Sequence, residues 1–205
     1  DALVVGNPTM PSVASTPGEK PYQLPALPGA ETEAKAIAQL LSTTAITGSQ
    51  ATKAAIVQKM TSARIIHLAT HGLLDDLKGL GVPRVIALAP SGQDNGLLTA
   101  DEIFDLKLNT ELVVLSACDT GRGKITGDGV IGLSRSLISA GVPSVLVSLW
   151  SIPDAPTAEL MTEFYKNLQQ KPDKAAALRQ AMLTTMKKHP SPSDWAAFTL
   201  IGESQ

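Results

Sequence analysis

The chain of 205 residues holds one cysteine, Cys118, and three histidines, one of them His71. Each of the two closes an apolar run. "RIIHLAT" leads into His71, and "ELVVLSA" leads into Cys118. A lone cysteine makes no disulfide within its own chain, so this thiol is either an inert core group or a reactive one. A thiol of ordinary pKa is only about 3% thiolate at pH 7. A neighbouring imidazole raises that fraction or takes the proton during attack. The chemistry on offer is acyl transfer through a thioester. Gly72 lets a backbone N–H come close to a reacting carbonyl, and the Cys118 N–H stands beside the place where an oxyanion would form. Residue type and spacing leave two readings open. One is a catalytic pair; the other is a small core hydrophobe and an unrelated turn histidine.

Other constellations carry less. His67 and His71 are four apart, a metal-pair spacing on a helix, but on a strand the two lie about 13 Å apart. His67 reads as a core residue, and neither metal nor cofactor is expected. "GRGK" (121–124) lacks the Walker spacing of a phosphate loop and reads as a mobile loop beside Cys118. Asp75 and Asp76 could orient His71, although a solvated loop explains them as well. No GxSxG serine elbow occurs. "VVGNP" stands where a nucleotide-binding domain would carry its glycine fingerprint.

Strands must bring the pair together. "ALVVG", "RIIHLAT" (64–70), "RVIALAP" (84–90), "LVVLSA" (112–117), "SVLVSLW" (144–150) and "AAFTLIG" read as strands, with "TAIT" a short further one. Helices are expected from about Ala30 to Leu41, from Lys53 to Met60 and over "VIGLSRSLISAG". Two more follow, over "PTAELMTEFYKNLQ" and from Lys174 to about Lys188 after an Asp173 cap. Thr99 and Glu102 form a capping box, Gly141 ends a helix, and Asn95-Gly96 reads as a hairpin-type turn. The proline-rich stretch 7–30 reads as a long surface loop. Apolar strands alternating with helices argue for an α/β fold, a mostly parallel central sheet covered on both faces. Chemistry then gathers at the carboxyl ends of the strands, where His71 and Cys118 fall.

Apolar residues make up 43% of the chain, aromatics 3%, and the net charge is −2. One domain spanning 1–205 with a core of Leu, Ile, Val and Ala is expected. Its abrupt start inside a strand reads as that of a fragment of a longer protein. No basic stripe points to nucleic acid or to a membrane surface. A single cysteine fits a reducing, cytoplasmic setting.

"HLATHG", "LSACDTG", "GLSRSLISAGVPSVLVSLWSIPDAPTAELMTEFY" and "WAAFTLIGE" together resemble the CHAT domain. This is a caspase-like domain usually found beside tetratricopeptide repeats and related to caspases, separases and gingipains. The resemblance implies a caspase-like three-layer sandwich and a cysteine endopeptidase acting on a protein or peptide. Cys118 would be the nucleophile and His71 the general base and acid, with the amides of Gly72 and Cys118 as the oxyanion hole. In the matching stretch of separases an Asp holds a P1 arginine. That implies an S1 role for Asp154, which by its position could equally be a helix N-cap. A tetratricopeptide-repeat region or other regulatory partner is implied as well. The alternative is a catalytically silent caspase-like scaffold that binds partners.

Overall fold

The computed structural model describes residues 1–14, 18–73, 84–116, 127–150 and 152–205, with the side chains of 127–131 left out. Its elements run in the order β1 (Ala2–Pro8), β2 (Ser12–Val13), β3 (Tyr22–Gln23), α1 (Pro28–Leu40), β4 (Ile46–Gly48), α2 (Lys53–Met60) and β5 (Ile65–Ala69). Then come β6 (Gly72–Leu73), β7 (Val85–Ala87), β8 (Leu97–Thr99), α3 (Ala100–Phe104), β9 (Leu112–Leu115), α4 (Gly127–Ser139) and β10 (Ser144–Ser148). The chain finishes with α5 (Asp154–Gln170), α6 (Lys174–Lys188), a 3₁₀ turn and β11 (Phe198–Gly202).

Six strands form the central sheet in the order β11-β10-β9-β5-β1-β4. All neighbours pair in parallel except β10 with β11. Strand side chains alternate between faces, and here both faces are apolar. Val4, Leu112, Val114 and Leu146 join Ile37 of α1, Leu160 and Phe164 of α5 and Leu178 of α6 in one cluster. Leu3, Val5, Val113, Leu115, Val145 and Val147 pack with Ile56 and Met60 of α2, Ile103 of α3 and Leu133 and Leu137 of α4 in the other. This double cover is why the strands read as unbroken Val/Ile/Leu runs.

The local stop and start signals act as their chemistry requires. Thr99 Oγ1 accepts from Glu102 N–H at 3.1 Å while the Glu102 carboxylate accepts from Thr99 N–H at 2.8 Å, a reciprocal cap for α3. Asp173 accepts from Ala176 N–H at 2.8 Å and starts α6. Gly141, with φ of 109°, turns the chain after α4, and a Cβ there would meet the Leu108 carbonyl at 2.6 Å.

Three expectations need correction. The 84–90 run does not join the central sheet. It supplies β7, the middle strand of a separate antiparallel sheet in the order β6-β7-β8. The reversal between β7 and β8 does not turn on Asn95-Gly96. Ser91 and Asp94 exchange backbone bonds of 3.1 and 2.9 Å around Gly92 and Gln93, and Gly96 follows with its N–H on Asp94 Oδ1 at 2.7 Å. The stretch 7–30 is not simply a surface loop. It forms the β2–β3 ladder and buries Met10, Val13 and Leu24 against Leu73, Val85 and Ala87. Proline spacing marks a segment without helix, but it says nothing of which side chains between the prolines turn inward.

Candidate active site

β5 and β9 are neighbours, in parallel register from Ile65↔Leu112 to Leu68↔Leu115. His71 lies two residues past the end of β5, at the carboxyl edge of the sheet, and is buried at 1% exposure. Its Nε2 is 2.8 Å from the Pro25 carbonyl oxygen. A carbonyl only accepts, so Nε2 carries the hydrogen, and in the neutral ring the basic lone pair is on Nδ1. The backbone beside it is equally fixed. Thr70 Oγ1 donates to the Ala87 carbonyl at 2.7 Å, and Ala87 N–H donates to the His71 carbonyl at 2.9 Å. Those bonds make Gly72 and Ile86 a non-hydrogen-bonded antiparallel pair, so the Gly72 N–H faces away from β7.

Cys118 lies outside the described residues, as do Asp75, Asp76, Asp119 and "GRGK"; the Asp128 side chain does too. β9 ends at Leu115, and the last described residue before Cys118 is Ser116, whose N–H donates to the Leu68 carbonyl at 3.2 Å. The strand leading to the cysteine is thus locked to the strand leading to the histidine.

Asp154 is the first residue of α5 and exposed. It is not the N-cap. Pro153 occupies that position, and no side-chain cap bond forms. The start of the helix is held instead by Thr157, whose N–H and Oγ1 both reach the Pro153 carbonyl, at 3.2 and 3.0 Å. Upstream, Trp150 Nε1 donates to the Ser193 carbonyl at 2.9 Å. The Asp154 carboxylate lies against Gly29 in the first turn of α1, where any Cβ would collide with it. One segment, residues 25–29, therefore touches both His71 and Asp154.

Below this edge lies a sealed polar cluster. His67, 0% exposed, has Nδ1 3.2 Å from Tyr165 Oη and Nε2 3.0 Å from Glu33 Oε1. Ser116 Oγ is 3.5 Å from the same Nε2. Burial first, and the Glu33 charge second, push the Tyr165 phenol well above its ordinary pKa. Its O–H stays on and donates to Nδ1, while Nε2–H donates to the carboxylate. His67 is a core residue, as its place in an apolar strand predicts. Glu33 was not foreseen. It sits three after Ala30 and four before Ile37, on the apolar stripe of α1, and a charged residue on such a stripe was the available signal.

The comparisons with known proteins agree with this architecture. The family model for the CHAT domain matches residues 1–203. Tetratricopeptide repeat protein 28 of Mus musculus is 32% identical over 234 residues, and that of Homo sapiens 33%. The match takes in 98% of this chain and 9% of either relative, so the chain spans under a tenth of their length. Among solved structures, the Arg-specific cysteine proteinase gingipain R superposes with a TM-score of 0.60 at 13% identity, over 99% of this chain and 46% of that one. The Saccharomyces cerevisiae separase–securin complex gives 0.57 at 14%, over 98% of this chain and 12% of the other. Identities this low speak for the fold alone. The fold is that of the caspase-like proteins gingipain and separase, and the chain belongs to the CHAT domain family.

Proposed function

We propose that this domain is a cysteine endopeptidase with a His71–Cys118 dyad, cutting proteins or peptides after a basic residue, arginine foremost. The observation that carries the reading is the setting of His71. It is buried at the carboxyl edge of the sheet with its tautomer fixed by a backbone carbonyl. It stands three positions beyond Leu68, and Cys118 stands three beyond Leu115, the partner of Leu68 in the ladder. In this reading Cys118 Sγ attacks the scissile carbonyl carbon as its proton passes to His71 Nδ1. The carbonyl oxygen, now an anion, is met by the amides of Gly72 and Cys118. The imidazolium returns the proton to the leaving amine, which departs and leaves a thioester. Water, deprotonated by the same imidazole, hydrolyses the thioester and restores the thiol. No cofactor enters.

The basic P1 preference rests on Asp154. An exposed carboxylate on a helix start held at Pro153 is a rigid acceptor for a bidentate guanidinium, and lysine would bind it less well. The fold is shared with a proteinase described as Arg-specific. The likeness to tetratricopeptide-repeat proteins supports such a repeat region as the regulatory partner. The test is turnover of matched peptides with Arg, Lys, Asp or Leu at P1 by the 205-residue chain and by Cys118→Ala. Cleavage after Arg that the variant lacks is expected. Cleavage that survives in Cys118→Ala refutes the nucleophile, and a folded chain that cuts none of the peptides speaks for the silent scaffold.

A further inference from the structure

We infer that Asn7 is the positioning residue of this site, holding the 25–31 segment so that it fixes the His71 ring and seats Asp154. Asn7 is the penultimate residue of β1, next to the central strand β5, and one residue before the chain leaves the sheet. It takes a φ of 46°, where the ladder to β4 slips register between Gly6 and Pro8. Few residues besides glycine tolerate that left-handed conformation, and asparagine is one of them.

The conformation is used on both sides of the side-chain amide. Asn7 Oδ1 accepts from Leu27 N–H at 2.8 Å, and Nδ2 donates to Glu31 Oε2 at 3.2 Å. The two anchors lie within the segment that carries the site contacts. Pro25, two residues before Leu27, receives the His71 Nε2 hydrogen. Gly29, midway between Leu27 and Glu31, carries the Asp154 carboxylate against it. Leu27 also flanks the start of α1 without any side-chain cap of its own. Nearby, Gly6 lets α1 lie directly on β1, since a Cβ there would strike Ala30 and Ala34. Asn7 therefore joins β1 to a segment that touches both His71 and Asp154. Among the described residues its side-chain hydrogen bonds go to Leu27 and Glu31.

The role in catalysis rests on the endopeptidase reading, but the placement of His71 does not, so two readouts separate them. The first is the tautomer of each histidine by ¹⁵N NMR on the 205-residue chain. His71 should report hydrogen on Nε2 in the parent and in Asn7→Asp combined with Glu31→Gln, which keeps the Oδ1 acceptor, tolerates the same φ and lets the amide at position 31 donate to the carboxylate at position 7. In Asn7→Gly, which keeps the backbone and removes both anchors, His71 should show mixed tautomers while His67 stays unchanged. Asn7→Ser, too short to reach Leu27, gives the same comparison if the glycine variant fails to fold. The second readout is kcat per site titrated with an irreversible peptide electrophile. It should fall about tenfold in Asn7→Gly, with the Arg-to-Lys preference reduced, because small misplacements are costly at a reacting centre. Asn7→Asp combined with Glu31→Gln should recover most of the loss. A merely structural residue would lower the number of titrated sites and leave kcat per site and P1 preference alone. An unaltered His71 tautomer in a folded Asn7→Gly or Asn7→Ser chain overturns the inference. An altered tautomer in a chain whose parent cleaves nothing sustains it and sinks the peptidase reading instead.

Discussion

His67 and His71 lie four residues apart on one run of chain, both buried, and are held in opposite ways. His67 is bound at both ring nitrogens by side chains, Tyr165 from α5 and Glu33 from α1. His71 is fixed at Nε2 by the main chain, through the Pro25 carbonyl. The first arrangement ties strand β5 to two covering helices and commits both nitrogens to them. The second sets a tautomer through the main chain, with the hydrogen on Nε2 and the basic lone pair of the neutral ring on Nδ1. Burial therefore does not separate a structural histidine from a candidate catalytic one. The chemistry of the partners does.

Removing each ring separates the two roles most widely. His71→Ala is expected to take peptide cleavage down by about a thousandfold or more, as is Cys118→Ala, with the double variant scarcely worse because the groups act as a unit. His67→Ala is expected to act on stability. It leaves the Glu33 carboxylate and the Tyr165 hydroxyl buried without their partner, at about 1–3 kcal/mol each. At roughly 2–4 °C per kcal/mol for a domain of this size, the melting temperature falls by about 10 °C. Calorimetry on the two single variants checks this. A His71→Ala chain that melts lower than His67→Ala would reverse the assignment.

The next effect belongs to Asp154. Because Asp154 makes no cap bond, Asp154→Asn alters charge and little else. Cleavage after Arg should drop about 30-fold in kcat/KM, since the pair with a substrate guanidinium is lost. Melting should move by no more than about 2 °C, and cleavage after neutral residues should not fall. Steady-state kinetics over the four P1 peptides reads both. A silent substitution would point instead to other carboxylates, Asp119 and Asp128, as the S1 acid.

Tyr165→Phe is the smallest change and sharpens the His67 side. It removes one buried hydrogen bond, about 1 kcal/mol, or roughly 2–4 °C. The alkaline limb gives a second check. The folded phenol titrates above its ordinary value. Its contribution is therefore complete below the unfolded value, about pH 10, and is lost as the pH climbs from there toward the folded one. Denaturant titrations above pH 10 should show a steeper fall in stability for the parent than for Tyr165→Phe.

The sequence was most legible where a residue type acts on its own neighbours. Thr99 with Glu102, Asp173 and Gly141 declare their roles within three or four residues, and the apolar strands declare a sheet covered on both faces. It was least legible where the partner is distant or is backbone. Glu33 meets His67 across 34 positions, and no local pattern names that pairing. The group on His71 Nε2 is a carbonyl, common to every residue, so no side-chain pattern, Asp75 and Asp76 included, points to it. The proline-rich stretch hid both that carbonyl and three core side chains. The Cys118 end of the site, an apolar strand closing on a lone thiol, is an expectation from the sequence and lies outside the described residues.

If His71 and Cys118 form a working dyad, the reactivity of the thiol depends on the imidazole. The 205-residue chain is exposed to a peptide electrophile bearing Arg at P1, to its Leu counterpart and to a small neutral alkylating agent, with labelling followed by mass spectrometry. A working dyad predicts one label per chain, mapped to Cys118, with the Arg peptide reacting much faster than the Leu peptide. It also predicts that His71→Ala slows that reaction at least tenfold. Labelling of Cys118 at the same rate in the parent and in His71→Ala, with no preference for Arg, would contradict it.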